Sequence, residues 1–130
     1  MVAITSRGAG GTNARALLNG TISTGSTWYE DVGMTEDGTA IANTPTGWEW
    51  RMTFRLSYDD APDLTLTTTD STLTISQGAD ATTLQIRVDP DRLSDLEGDY
   101  ICDLASKDTD DRIIHWAHGV VTFRHEPIWA

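Results

Sequence analysis

The sequence holds a single cysteine, Cys102, among 130 residues. One thiol forms no internal disulfide, so the chain is not a disulfide-stapled scaffold, and cysteine usage leaves its redox compartment open. Free cysteine is most often a small buried hydrophobe, and Cys102 is read as a structural thiol. No apolar run approaches the roughly 20 residues that span a bilayer. Met1–Gly11 lacks the charged start and apolar stretch of a signal peptide, so synthesis in the cytoplasm and a soluble product are expected. Basic residues are scarce, 9 against 20 acidic ones, for a net charge of −11. That balance argues against nucleic acid, whose phosphates need a basic surface, and against anionic membranes. Helical patterning long enough for a βαβ crossover is also missing, which excludes a parallel α/β sheet.

What is present is short alternation. Trp48, Trp50, Met52, Phe54 and Leu56 alternate with Glu49, Arg51, Thr53 and Arg55. This predicts a strand over 48–56 with one face on a core and one in water. A register slip of one residue would bury two arginines and a glutamate, so its pairing is well specified. Leu64–Thr68 and Thr72–Ser76 read as Thr-rich strands with Leu64, Leu66, Leu73 and Ile75 inward. Thr83–Val88 alternates through Leu84, Ile86 and Val88, and Asp99–Ser106 through Tyr100, Cys102 and Leu104. Arg112–His118 and Gly119–Phe123 make one long strand, with Gly119 the place for a bend. Between them, Asp89–Leu96 predicts one helical turn: Pro90 suits its first position, Asp89 can cap it, and Gly98 ends it.

The first third is less regular. Ala14–Ser23 allows a short helix broken at Asn19-Gly20, or Leu18–Ser23 and Thr27–Val32 form a first pair of short strands. Thr35–Gly47 is a loop by turn chemistry. Met1–Thr12 is rich in Gly, Ala and Ser and predicts a flexible or extended arm. Residues 1–20 contain Arg7 and Arg15 and no acid, leaving seven basic against twenty acidic residues for the rest. A mildly basic arm thus precedes an acidic body. It serves either as a solubilising tail or as an arm lying on an acidic neighbouring subunit. The expected organisation is an arm over 1–17 and one all-β domain over 18–130, an immunoglobulin-like antiparallel β-sandwich with one short helical turn.

Chemistry-bearing patterns are weak. The run Asp89, Asp91, Asp95, Glu97, Asp99 fails the EF-hand loop: Leu93 stands at its fifth position and no glycine at its sixth. Asp108–Asp111 is a turn. His115 and His118, three apart on a regular strand, point to opposite faces and do not share a metal; the same parity separates His118 from His125. There is no nucleophile elbow and no phosphate-binding glycine loop. No catalytic residue, metal or cofactor is expected. The aromatic residues are more suggestive. Trp28-Tyr29 and the near-terminal Ile128-Trp129 fit packing within the chain, docking onto a partner, or a sugar platform.

The order of elements resembles a known family. Trp48-Glu-Trp-Arg-Met-Thr-Phe-Arg55 is followed by a Thr-rich hairpin from Leu64-Thr-Leu-Thr-Thr68 to Leu73-Thr-Ile75. Leu84-Gln-Ile-Arg-Val88 then leads into Pro90-Asp-Arg-Leu-Ser-Asp-Leu96. Gly98-Asp-Tyr-Ile-Cys-Asp-Leu104 and Gly119-Val-Val-Thr-Phe123 follow, with Pro127 after them. This is similar to small bacteriophage virion proteins: the N-terminal domain of phage baseplate upper proteins, and short Ig-like proteins encoded near tail-fibre genes. The resemblance runs from Trp48 to Pro127, leaves residues 1–47 uncovered, and rests on packing motifs. It implies a non-enzymatic structural protein of the virion, assembled in the host cytoplasm. Other phage structural proteins and further copies of itself would be its partners. With no receptor-binding domain after Pro127, the expected role is a tail, baseplate or fibre-attachment adaptor. A capsid decoration protein is the structural alternative, and a carbohydrate-binding module the alternative of another class. Partner contacts are expected at Arg7, Arg15, Trp28, Tyr29, Ile128 and Trp129.

Overall fold

The computed structural model of the chain describes residues 2–5, 16–36, 39–40, 48–77 and 82–125. Among these residues are ten strands and one helical turn. They are β1 (Val2–Thr5), β2 (Ala16–Ser23), β3 (Trp28–Glu36), β4 (Thr39–Ala40), β5 (Glu49–Arg55), β6 (Leu64–Thr67), β7 (Leu73–Gln77), β8 (Thr82–Val88), α1 (Pro90–Leu93), β9 (Gly98–Lys107) and β10 (Ile113–Arg124). A large sheet has the order β1-β2-β10-β9-β5-β6 and a small one the order β4-β3-β8-β7. They pack as a β-sandwich.

Alternation builds the interior. Trp50, Met52 and Phe54 of β5 are buried, and so are Tyr100, Cys102 and Leu104 of β9 and Ala117, Val121 and Phe123 of β10. Trp28, Val32, Leu73, Leu84, Ile86 and Val88 meet them from the small sheet in one cluster. Phe123 is the hub of its aromatic part. Its ring stands edge-on to Phe54 and Tyr100 at 5.4 Å each and to Trp28 at 6.1 Å. Such pairs contribute about 0.5–1.5 kcal/mol each beyond the area they bury. Leu93 and Leu96 are buried beside this cluster, which holds α1 in place. Asp89 makes no side-chain cap, contrary to expectation. One turn of helix is not stable alone, so burial of its leucines decides. Gly98 then takes φ +100°, a conformation that costs any L side chain energy, and turns the chain into β9.

Several expectations are corrected. The sheets are not wholly antiparallel: β2 runs parallel to β10, from Ala16 beside Ala117 to Ser23 beside Arg124. The Thr24 amide extends this seam by donating to the Arg124 carbonyl at 2.9 Å. β2 and β3 do not pair with each other, because the turn between them carries the chain from one sheet to the other. Residues 1–17 are not all free arm. Val2–Thr5 pairs antiparallel with β2 as the outermost strand, and β2 itself begins at Ala16. The apolar Val2-Ala3-Ile4 run suits a strand, and the backbone of β2 offers it a ladder.

β6 and β7 are not a hairpin either. β6 pairs with β5 and β7 with β8, so the chain crosses between sheets at Thr68–Thr72. Leu56 is not inward but 55% exposed. The sheet ends at Arg55, and the Asp63 amide closes the following loop onto the Phe54 carbonyl at 2.8 Å. In β10 the irregularity falls between His115 and Ala117 rather than at Gly119.

Candidate interaction surfaces

Trp28 and Tyr29 are neighbours on β3, and neighbours on a strand face opposite ways. Trp28 is 4% exposed and sits in the core, edge-on to Phe54 at 5.8 Å. Its indole N–H donates to Glu30 Oε1 at 3.2 Å. The expectation that Trp28 docks a partner is therefore corrected, and the side chain is equally unable to stack on a sugar. Tyr29 is 60% exposed on the outer face of the small sheet. The Arg87 guanidinium lies 4.7 Å from its ring centre, from the paired position on β8. This cation–π contact fixes the ring while leaving it open to a partner. Arg7, Arg15, Ile128 and Trp129 lie outside the described residues.

The other described tryptophans are also engaged. Trp50 is buried and lies 5.3 Å from Trp116, whose indole N–H donates to Ser106 Oγ at 2.8 Å. Trp48 packs half-buried against the core.

The outer face of the large sheet is mixed. Ile113, 64% exposed, and Val120 stand on β10. A shallow groove of about 200 Å3 opens between Glu49, Arg51, Ala105, Ser106, Lys107 and Ile113. Within it Arg51 and Glu49 pair at 3.2 Å, both well hydrated, so the pair adds little stability. The bulge at Trp116 reverses the strand's parity. His115 opposes Ala105 and His118 opposes Asp103, and both histidines share the outer face. The expectation of opposite faces assumed a regular strand. His118 Nδ1 is buried without a hydrogen-bond partner. No three His, Cys, Asp or Glu side chains come together as a metal-binding group among the described residues.

Some carboxylates serve the fold. Asp108 accepts the amides of Asp110 and Arg112 at 2.8 and 2.9 Å, and Arg112 Nε at 2.8 Å. These bonds, the Arg112 amide foremost, hold its carboxyl below the ordinary carboxylate range. Asp108 thereby shapes the β9–β10 turn, as the acidic run there suggested. Asp99 accepts from the Thr122 hydroxyl at 2.6 Å. Cys102 is fully buried, and desolvation, with Asp103 nearby, pushes its thiol well up, so it is no nucleophile.

A polar lock at the β6–β7 crossing escaped the sequence. Asp70 accepts from the Thr72 hydroxyl at 2.6 Å, from the Thr72 amide at 3.0 Å and from Arg92 at 3.1 Å. Burial pushes this carboxyl up, but the hydrogen bonds from Thr72, Arg92 and Thr67 outweigh it and bring the pKa to about 2. Arg92 also donates to the Thr65 carbonyl at 2.8 Å, so α1 is tied to the rim of the large sheet. Only the polar string Thr67–Thr72 hints at this in sequence.

A scan of protein-family models gives no match to the chain, and neither do the curated protein sequences.

Proposed function

We propose that the chain is an immunoglobulin-like structural subunit of a bacteriophage particle, an adaptor in a tail, baseplate or fibre attachment that works by protein–protein assembly. The strand order supports the immunoglobulin-like assignment. The run β10-β9-β5-β6 facing β3-β8-β7 corresponds to strands G, F, C and C′ facing B, E and D. Tyr100 is buried two residues before Cys102 on the F-like β9. That placement is the one a tyrosine corner takes, which supports the same reading. Trp50, on the C-like β5, is buried as such a domain requires.

For the assembly role, the observation that carries the reading is β1. Val2–Thr5 forms one rim of the large sheet, where it pairs antiparallel with β2. So short a strand adds little stability on its own. A strand from a neighbouring subunit that displaced β1 would take the same ladder, which is strand addition at a sheet edge. The resemblance of Trp48–Pro127 to virion proteins supplies the setting. Exposed Tyr29 offers an aromatic contact on the opposite sheet.

Mass spectrometry of purified particles tests the role. The chain should be present at stoichiometric level, and deletion of residues 1–12 should lower its incorporation while the sandwich still melts cooperatively. Absence from the particle overturns the proposal, and attachment to the head rather than the tail would make the chain a decoration protein.

A further inference from the structure

β6 and β7 are consecutive strands, and each ends its sheet on one side. Their rims are treated differently. On β6, Thr68 N–H bonds to the Trp50 carbonyl, so Thr65 and Thr67 direct their backbone groups outward. Those groups are capped. The Thr67 amide donates to Thr72 Oγ1 at 2.9 Å, the Thr72 hydroxyl reaches the Thr67 carbonyl, and Arg92 takes the Thr65 carbonyl. Thr72 and Arg92 thus block strand addition at β6, with Asp70 holding both.

β7 has no such cap. The Arg87 amide donates to the Thr72 carbonyl at 2.9 Å, so Thr72, Thr74 and Ser76 bond inward to β8. Leu73, Ile75 and Gln77 therefore send their amides and carbonyls outward, and no described residue bonds to them. Open edges are ordinarily guarded by charge, proline or a bulge. Leu73-Thr-Ile-Ser-Gln77 has none of these. In a chain of net charge −11, an uncharged rim is where two copies meet with least repulsion. Ile75 packs inward against the core but is only half-buried.

We propose that β7 pairs antiparallel with β7 of a second copy, centred on Ile75, and joins two small sheets into one. Leu73 faces the second copy's Gln77, and Thr74 faces its Ser76. Ile75 meets its own counterpart on the core side. Every outward backbone group on one strand finds an outward group on the other, and the contact is isologous, as a two-fold dimer requires. Thr–Ser pairing across strands is favourable. The inference rests on the assembly reading for its purpose but is measured on the isolated full-length chain. Each can then fail separately.

Sedimentation equilibrium over a range reaching about 1 mM suits so small an interface. A monomer–dimer equilibrium is expected. Thr74→Lys with Ser76→Lys places like charges opposite one another and should weaken the dimer about tenfold or more. Thr74→Lys with Ser76→Asp sets Lys against Asp in this register and should restore it. Both positions are exposed, so near-UV circular dichroism should stay unchanged in both variants. A chain that stays monomeric throughout overturns the proposal. So does a dimer indifferent to the lysine pair, or one that the Lys/Asp variant weakens as much as the Lys/Lys variant.

Discussion

Trp28 and Tyr29 give the sharpest test of how this chain faces its core. Substituting Trp28 by alanine empties a site that is only 4% exposed and in contact with Phe54 and Phe123. A buried aromatic of this class removes 150–250 Å2 from water, roughly 4–6 kcal/mol as an upper bound at about 25 cal/mol per Å2. Comparable truncations cost about 3–5 kcal/mol, and that is the loss expected for Trp28→Ala. Domains hold only about 5–15 kcal/mol in total, so Trp28→Phe provides the milder comparison. It keeps an edge-on ring but loses the N–H bond to Glu30, and should cost about 1–2 kcal/mol. Tyr29→Ala loses an exposed cation–π contact with Arg87, about 1 kcal/mol or less. Urea unfolding of the four proteins, followed by far-UV circular dichroism, ranks them. A Trp28→Ala protein within about 1 kcal/mol of the parent, or a Tyr29→Ala protein that loses more, would refute the assignment of faces on β3.

Asp70 makes the fold acid-sensitive in a defined window. Its carboxyl is depressed from 3.8 to about 2, so its contribution is complete above pH 3.8 and vanishes as pH falls toward 2. With that side chain 42% exposed, the effect is discounted to about 1 kcal/mol. The gap in urea midpoint between the parent and Asp70→Asn should therefore be present at neutral pH and close near pH 2; a gap independent of pH contradicts this. Cys102 should resist thiol reagents in native buffer and react at the rate of unfolding in denaturant. Rapid labelling of the folded chain would show the site to be open. Gly98→Ala should cost about 1–2 kcal/mol through its φ of +100°, although nothing lies within 4 Å of the added carbon. Gly33→Ala, also unobstructed, should be neutral within about 0.5 kcal/mol, and equal costs at the two sites would argue against backbone strain at Gly98.

What the sequence revealed and what it hid divide along physical lines. β5, β8 and β9 were legible because period-two alternation is local, and the helical turn because Pro90 and the paired leucines are close neighbours. The parallel seam between β2 and β10 joins residues about a hundred positions apart, and no local signal marks it. β6 and β7 look like a hairpin because both alternate leucine or isoleucine with threonine. What separates them is the turn at Thr68–Thr72, where Ser71 adopts φ +67° and Asp70 ties Thr72 to Arg92. At the candidate surface, the choice between Trp28 and Tyr29 as the outward ring depends on strand parity, which adjacent aromatics do not declare. The histidines failed similarly, since one bulged residue inverts the parity of everything beyond it. An open rim at β7 is a property of sheet order, and sequence shows only that the segment carries no charge.

Electron microscopy of purified particles tests the central claim most directly. Density for this sandwich is expected at the tail, baseplate or fibre attachment, with a strand of a neighbouring subunit on the rim at β1 or in its place on β2. A particle whose density at near-atomic resolution holds no copy of the sandwich would contradict it.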